Sequence, residues 1–194
     1  MKILGLTGSI GMGKTHAMRA LRRMHLPVFD ADETVHALLE SQAISQLIGA
    51  RFPECLTREK VDRRALGDLV FSDRLALEEL EGWLHPLVAA RIESFLTAQR
   101  RERQRIVVLD VPLLFETGMD SYCDAVICVT APSFVQHARV LRRTGMNAAK
   151  LDGVLTRQMP DRDKCRYADY IVHTGGHRGD TWRHLRRIVA DLRE

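Results

Sequence analysis

Residues 3–15 read ILGLTGSIGMGKT, and no other stretch narrows the possible folds as far. The opening run, Ile3-Leu4-Gly5-Leu6, is apolar without alternation, the pattern of a strand buried on both faces of a parallel sheet. Directly after it, Gly8-Ser9-Ile10-Gly11-Met12-Gly13-Lys14-Thr15 fits G-x-x-x-x-G-K-[ST], the phosphate-binding loop. The chemistry needs these residues in this order. Glycines let consecutive backbone N–H groups turn inward toward phosphate oxygens, and the following helix adds its positive dipole end. Lys14 reaches the β/γ-phosphates, and the Thr15 hydroxyl is placed to ligate Mg2+. The bland alternative is a glycine-rich turn with a stray lysine. The strand before and the helix after favour a nucleoside-triphosphate site.

Further apolar runs alternate with helical stretches: Leu26-Pro27-Val28-Phe29, Ile106-Val107-Val108-Leu109, Ala125-Val126-Ile127-Cys128-Val129 and Tyr170-Ile171-Val172. This alternation predicts an α/β chain of the P-loop NTPase class, with a doubly wound five-stranded parallel sheet covered on both faces. Catalytic groups of such sheets collect at the carboxyl ends of the strands. Asp30-Ala31-Asp32 follows the second run, and Asp110 closes the third in the Walker-B manner, where a carboxylate meets Mg2+ directly or through water. Asp30 reads equally well as a helix cap, whereas position favours a functional Asp32. Residues 33–104 are expected to be mainly helical, with Leu77, Leu80, Leu84, Leu87, Val88 and Ile92 at helical spacing. His85-Pro86 is expected to interrupt that helix and project the histidine toward a cleft.

With 45% apolar residues in 194, the chain can bury a full core as one globular unit with small inserted subdomains. No apolar run approaches the roughly 18 residues needed to cross a bilayer, and the early first strand leaves no expected room for a secretory leader. Cys55, Cys123, Cys128 and Cys165 form no C-x-x-C pair, so they read as buried or idle thiols in a reducing cytosol. The formal charge is +4, and its placement matters more than its size. Between Arg139 and Arg166 stand eight basic residues against three acids, which suggests phosphate handling. Interleaved aromatics are nearly absent there, which argues against base stacking on nucleic acid.

Taken together, these residues resemble the dephospho-CoA kinase family over nearly the whole chain. GLTGSIGMGKT resembles its phosphate loop and FDAD, with His36 beyond, its acidic motif. VDRRAL, VF and LHPLV resemble its 61–88 stretch, LDVPLLFETG its most characteristic segment, and RQMPDRDKCRYADYIVHTGG its closing pattern. The resemblance implies ATP-dependent phosphorylation of the ribose 3′-hydroxyl of dephospho-CoA, with Mg2+. Gly8, Ser9, Ile10, Gly11, Met12, Gly13, Lys14, Thr15 and His16 would form the ATP site, with Thr15 and Asp110 at the metal. Asp32 would be the base or orienter of the acceptor hydroxyl. Asp32, Arg63, His85, Pro112, Leu113, Leu114 and Glu116 would line the dephospho-CoA site. Arg139 and Arg143, one helical turn apart, would be catalytic lid arginines. The implied organisation is a nucleotide core at 1–31, 105–138 and 164–194, a helical substrate domain at 32–104 and a lid at 139–163. Thr174 stands where the family usually has Asn near the adenine pocket, and His16 replaces a small hydroxyl residue.

Among function classes, a small-molecule kinase fits best, because phosphoryl transfer asks mainly for positioning and charge neutralisation. A nucleoside-monophosphate kinase would share loop and arginine lid but not PLLFE or DAD. A GTP-dependent switch would need an Asn-Lys-x-Asp segment, and the asparagine at 147 precedes Ala148. A nucleic-acid-dependent ATPase would need the missing aromatics. The expected enzyme is cytoplasmic, monomeric or weakly homo-oligomeric, and has no nucleic-acid or membrane partner.

Overall fold

A computed structural model describes residues 1–58 and 60–193. The chain runs β1 (Lys2–Thr7), α1 (Lys14–Arg23), β2 (Val28–Asp30), α2 (Ala31–Leu39) and α3 (Gln42–Arg51). After a 3-10 turn at Pro53–Cys55 come β3 (Leu56–Thr57), β4 (Lys60–Val61), α4 (Arg63–Ser72) and α5 (Arg74–Arg101). Next are β5 (Ile106–Asp110), a 3-10 turn at Met119–Tyr122, β6 (Ala125–Thr130) and α6 (Ser133–Leu141). The chain continues through α7 (Ala148–Arg157), α8 (Asp161–Tyr167), β7 (Tyr170–His173) and α9 (Arg178–Asp191). It forms two compact units, one from residues 1–30 and 98 onward, the other from 31–97. Among the described residues no helix is long and apolar enough to cross a membrane.

The first unit is a five-stranded sheet in the order β2-β5-β1-β6-β7, parallel at every pairing. β1 is central and buried along Ile3–Thr7, and β5 and β6 are buried throughout. That is why these strands read as unbroken apolar runs. Leu4, Leu6, Val108, Ile127 and Val129 pack against Ala17, Met18 and Leu21 of α1 and Leu185, Ile188 and Val189 of α9. Burying each Leu, Ile or Val contributes about 1.5–3 kcal/mol. The connection from β1 goes outward to β2, β5 returns to β1's side, and β6 and β7 lie beyond it. The winding therefore reverses at β1, and the loop after β1 lies at the switch point where doubly wound sheets bind ligands.

β2 is displaced from its expected span. It begins at Val28 and ends at Asp30, although Val108 N–H still donates to Pro27 O at 2.9 Å. In the second unit α5 runs unbroken through Pro86, against the expected interruption. Leu80, Leu84, Val88, Ile92 and Leu96 form a buried stripe along it, and that burial outweighs the roughly 3 kcal/mol of an interior proline. Pro86 is on the exposed side, and so is Gly82, whose carbonyl the proline leaves unpaired, so water can satisfy it. The small antiparallel hairpin β3–β4 was not foreseen, being two residues per strand. Phe52 and Trp83, with ring centroids 6.0 Å apart, help close this second core.

The phosphate loop crosses the end of β6 closely. Gly8 has φ +155°, and a Cβ there would stand 2.5 Å from Val129 Cγ2 and 2.6 Å from Val129 O. Since one of these atoms is backbone, it cannot swing away. Gly8→Ala should lower stability by about 1–3 kcal/mol in urea unfolding; an unchanged midpoint would show that the loop does not seat on β6.

Candidate active site

The loop after β1 curls tightly. Met12 N–H donates to Ser9 O at 3.1 Å, and His16 N–H donates to Gly13 O at 2.9 Å, where α1 begins. Gly13 is left-handed, with φ +93°, and a Cβ would meet Thr174 Oγ1 at 2.6 Å. Ser9 is buried, and its hydroxyl has no hydrogen-bond partner. An orphaned buried hydroxyl in a nest of inward-turned backbone fits a bound anion.

Lys14 Nζ lies 2.7 Å from Asp110 Oδ1, the two side chains being 14% and 3% exposed. The sheet register explains the pair, because Leu6 stands opposite Asp110. The Asp110 carboxylate thus holds the loop lysine in its place. Thr15 is exposed at the first turn of α1. A threonine hydroxyl and a carboxylate are hard oxygen donors of the kind Mg2+ takes, so Thr15 and Asp110 fit that ion chemically. Asp30, opposite Asp110 in the register, pairs with Arg22 at 3.8 Å.

Side chains from distant elements brace the loop. Gln136 Nε2 donates to Ile10 O at 2.8 Å, and Gln158 Oε1 accepts from Ile10 N–H at 3.0 Å. The two amides hold both backbone groups of one loop residue. Arg139 donates to Gly11 O at 3.3 Å, to Thr174 Oγ1 at 3.0 Å and to Thr174 O at 2.6 Å. The Thr174 hydroxyl in turn donates to Met12 O. Arg139 therefore reaches the loop's backbone from α6. It does not share a helical face with Arg143, because α6 stops at Leu141 and Gly145 turns the chain at φ +79°. Arg143 lies beyond the helix and is exposed.

The 112–116 segment divides into distinct parts. Pro112 and Leu113 are half-buried, but Leu114 is fully buried, and it packs where a Cβ on Gly5 would meet it at 2.9 Å. Leu114 is thus core and offers no surface to a ligand, a correction to its expected substrate contact. Glu116 binds Lys164 Nζ at 2.8 Å and accepts from Met159 N–H at 2.8 Å. Lys164 is 0% exposed, and it also donates to Pro112 O at 2.8 Å. That carbonyl accepts from Thr7 Oγ1 at 3.0 Å as well.

In the second unit, Asp32 is exposed in the first turn of α2, two residues past the end of β2. Arg63 opens α4, whose cap is Asp62, accepting from Arg64 and Ala65 N–H at 2.9 and 3.1 Å. His85 is exposed on the continuous α5, not at a helix break. Gln136, Gln158 and Lys164 carry no site role in the sequence, and Thr174 is marked there only as standing near the adenine pocket. Gln158 and Lys164 stand in the closing motif, which was a usable signal; Gln136 has only its place as a polar residue among apolar helix neighbours.

The pattern of the dephospho-CoA kinase family matches residues 2–179. A dephospho-CoA kinase of Paramagnetospirillum magneticum is 55% identical over 166 residues, covering 84% of this chain and 78% of that protein. A Thermus thermophilus crystal structure, TT1252, superposes with a TM-score of 0.84 at 32% identity, covering 98% of this chain and 97% of that one. The dephospho-CoA kinase structure from Campylobacter jejuni, at 23% identity, has a TM-score of 0.71 over 98% of this chain and 96% of its own, and shares the fold.

Two variants separate bracing from ligand contact. Glu116→Ala leaves the buried Lys164 charge unpaired, and stability should fall by about 3–5 kcal/mol in denaturant titration. A stable variant with only a raised KM would instead make Glu116 a substrate ligand. Gln158→Ala should speed hydrogen exchange of the Ile10 amide about 2- to 10-fold, the weight of one net hydrogen bond. An unaltered rate would remove Gln158 from the brace.

Proposed function

The chain belongs to the dephospho-CoA kinase family, and on that footing we propose how its own residues carry phosphoryl transfer from ATP to the ribose 3′-hydroxyl of dephospho-CoA. The observation that carries the reading is the family match across residues 2–179, supported by a phosphate loop whose Lys14 lies 2.7 Å from Asp110 and whose Gly8, Gly11 and Gly13 leave no room for a Cβ. Loop N–H groups and Lys14 hold the ATP phosphates, which compete with Asp110 for the lysine. Mg2+, when bound at Thr15 and Asp110, supplies charge neutralisation at the phosphates. Ser9 and His16 flank the same nest.

Asp32 aligns the acceptor hydroxyl and takes its proton. Its place supports this: it follows by two residues Asp30, which stands opposite Asp110, the partner of Lys14. Arg63, His85, Pro112 and Leu113 bind dephospho-CoA. Arg143 is the lid arginine for the transferring phosphoryl group, while Arg139 acts through the loop it braces. The nucleotide core comprises 1–31, 105–138 and 164–194, the helical substrate domain 32–104 and the lid 139–163. We extend the proposal to a cytoplasmic enzyme, monomeric or weakly homo-oligomeric, acting on a small molecule without nucleic acid. Coupled ADP release with dephospho-CoA, AMP, adenosine and pantetheine phosphate as rival acceptors tests the reaction; preference for any acceptor but the first overturns it.

Asp32→Asn keeps size and polarity but removes the proton acceptor. Single-turnover transfer should fall about 10²–10⁴-fold, with ATP affinity little changed because loop contacts remain. Were Asp32 only a residue favouring the start of its helix, Asn would leave the rate near that of the parent.

A further inference from the structure

Away from the phosphate loop, two thiols and a carboxylate meet where α8 packs on β6. Ile127 and Val129 point into the core under α1 and α9, so Cys128 between them faces the opposite side of the sheet. Asp161 and Cys165 are four residues apart on α8 and therefore share a face. Cys165 Sγ lies 3.8 Å from Cys128 Sγ. A carboxylate oxygen of Asp161 and both sulfurs lie within 4.8 Å of one another. Thr130 Oγ1 donates to Asp161 Oδ2 at 2.6 Å, which fixes the carboxylate's rotation. The other oxygen, Oδ1, is buried with no hydrogen-bond partner. A buried carboxylate oxygen left over in this way calls for a cation or a water.

We propose that Cys128, Cys165 and Asp161 bind a soft divalent cation of the zinc class. The sulfur–sulfur separation suits it. Two thiolates bound tetrahedrally at about 2.3 Å stand about 3.8 Å apart, and a carboxylate oxygen at about 2.1 Å stands about 3.6 Å from each. The Thr130 contact does for Asp161 what an outer-shell donor does for a metal-bound carboxylate. Three protein ligands leave a fourth position for water. The thiols select against Mg2+, which prefers oxygen, so this site and the phosphate site take different ions.

Binding forms two metal–sulfur bonds and one metal–oxygen bond, and releases the two thiol protons to solvent with no change of oxidation state. Burial raises both thiols above their ordinary range; the Asp161 charge raises them further, while Lys164 works the other way on Cys128. The ion must therefore displace protons from protonated thiols, and uptake strengthens as pH rises.

The test is Co2+ titration of the reduced, chelator-treated full chain at mildly alkaline pH. One equivalent should produce a thiolate-to-cobalt charge-transfer band with strong tetrahedral visible absorption. Zn2+ should displace it and Mg2+ should not. Cys165→Ser should cut the charge-transfer intensity at least about twofold, the double variant Cys128→Ser with Cys165→Ser should abolish it, and Asp161→Asn should weaken binding about 10- to 100-fold, with far-UV circular dichroism reporting that each variant is folded. Cys55→Ser and Cys123→Ser should leave the titration unchanged. Absence of the band in the parent would reduce the cluster to two packed thiols, and a band of undiminished intensity in folded Cys165→Ser would place the ion elsewhere; either result overturns the site. Should Cys165→Ser not fold, blocking of the band by thiol alkylation mapped to Cys55 or Cys123 rather than Cys165 has the same force.

Discussion

A loop that turns its N–H groups inward for phosphate cannot use those groups to hold its own shape. That constraint organises the first unit. The loop has few internal bonds, chiefly Met12 N–H to Ser9 O, so its conformation is imposed from outside. Gln136 and Gln158 hold Ile10, Arg139 holds Gly11, and Thr174 holds Met12. Val129 lies against Gly8. Each contact is worth about 0.5–1.5 kcal/mol on its own, so no single one decides the fold. Their combined effect is preorganisation, which matters because phosphoryl transfer depends on fixed dipoles more than on covalent chemistry.

The same reasoning accounts for the buried lysine. Lys164 with Glu116 and the carbonyl of Pro112 is a poor source of stability, since desolvating two charges offsets most of their attraction. Its value is geometric. The network joins Thr7 at the end of β1, the 112–116 segment after β5, and α8. A well-packed apolar replacement would hold these elements by area alone and would tolerate sliding. Charge-assisted hydrogen bonds to specific oxygens do not.

What was legible in the sequence follows from which forces are local. Continuous apolar runs announced β1, β5 and β6, because burial on both faces leaves that mark whatever the neighbours are, and the edge strand β7 showed as the shorter run Tyr170-Ile171-Val172. The phosphate motif announced its lysine and its helix. The errors fell where a local preference met a tertiary contact. Pro86 should break a helix, but the stripe from Leu80 to Leu96 keeps α5 whole. Arg139 and Arg143 share a face only if α6 continues, and it ends at Leu141. Leu114 sits in a motif that resembles a substrate site, yet it is core. The loop brace was invisible for a plainer reason: Gln136 and Ile10 are 126 positions apart, and a glutamine carries no pattern that names its partner.

The brace also limits what a lid can be. Gln136 fastens the chain just before the proposed lid at 139–163, Arg139 fastens its first residue, and Gln158 fastens it near its end. Met159 is pinned to Glu116 one residue later. If the proposed lid closes, the part left to move lies between these points, over roughly 140–157, where α6 ends, Gly145 turns and α7 lies. Arg143 falls inside that interval and Arg139 outside it. On the proposed function the two arginines would divide the work: Arg139 stays with the loop it braces, and Arg143 moves with the lid. Closure can then bring new charge to the phosphoryl group without disturbing the nest that holds it, because the contacts that shape the nest lie at the fixed ends of the moving piece.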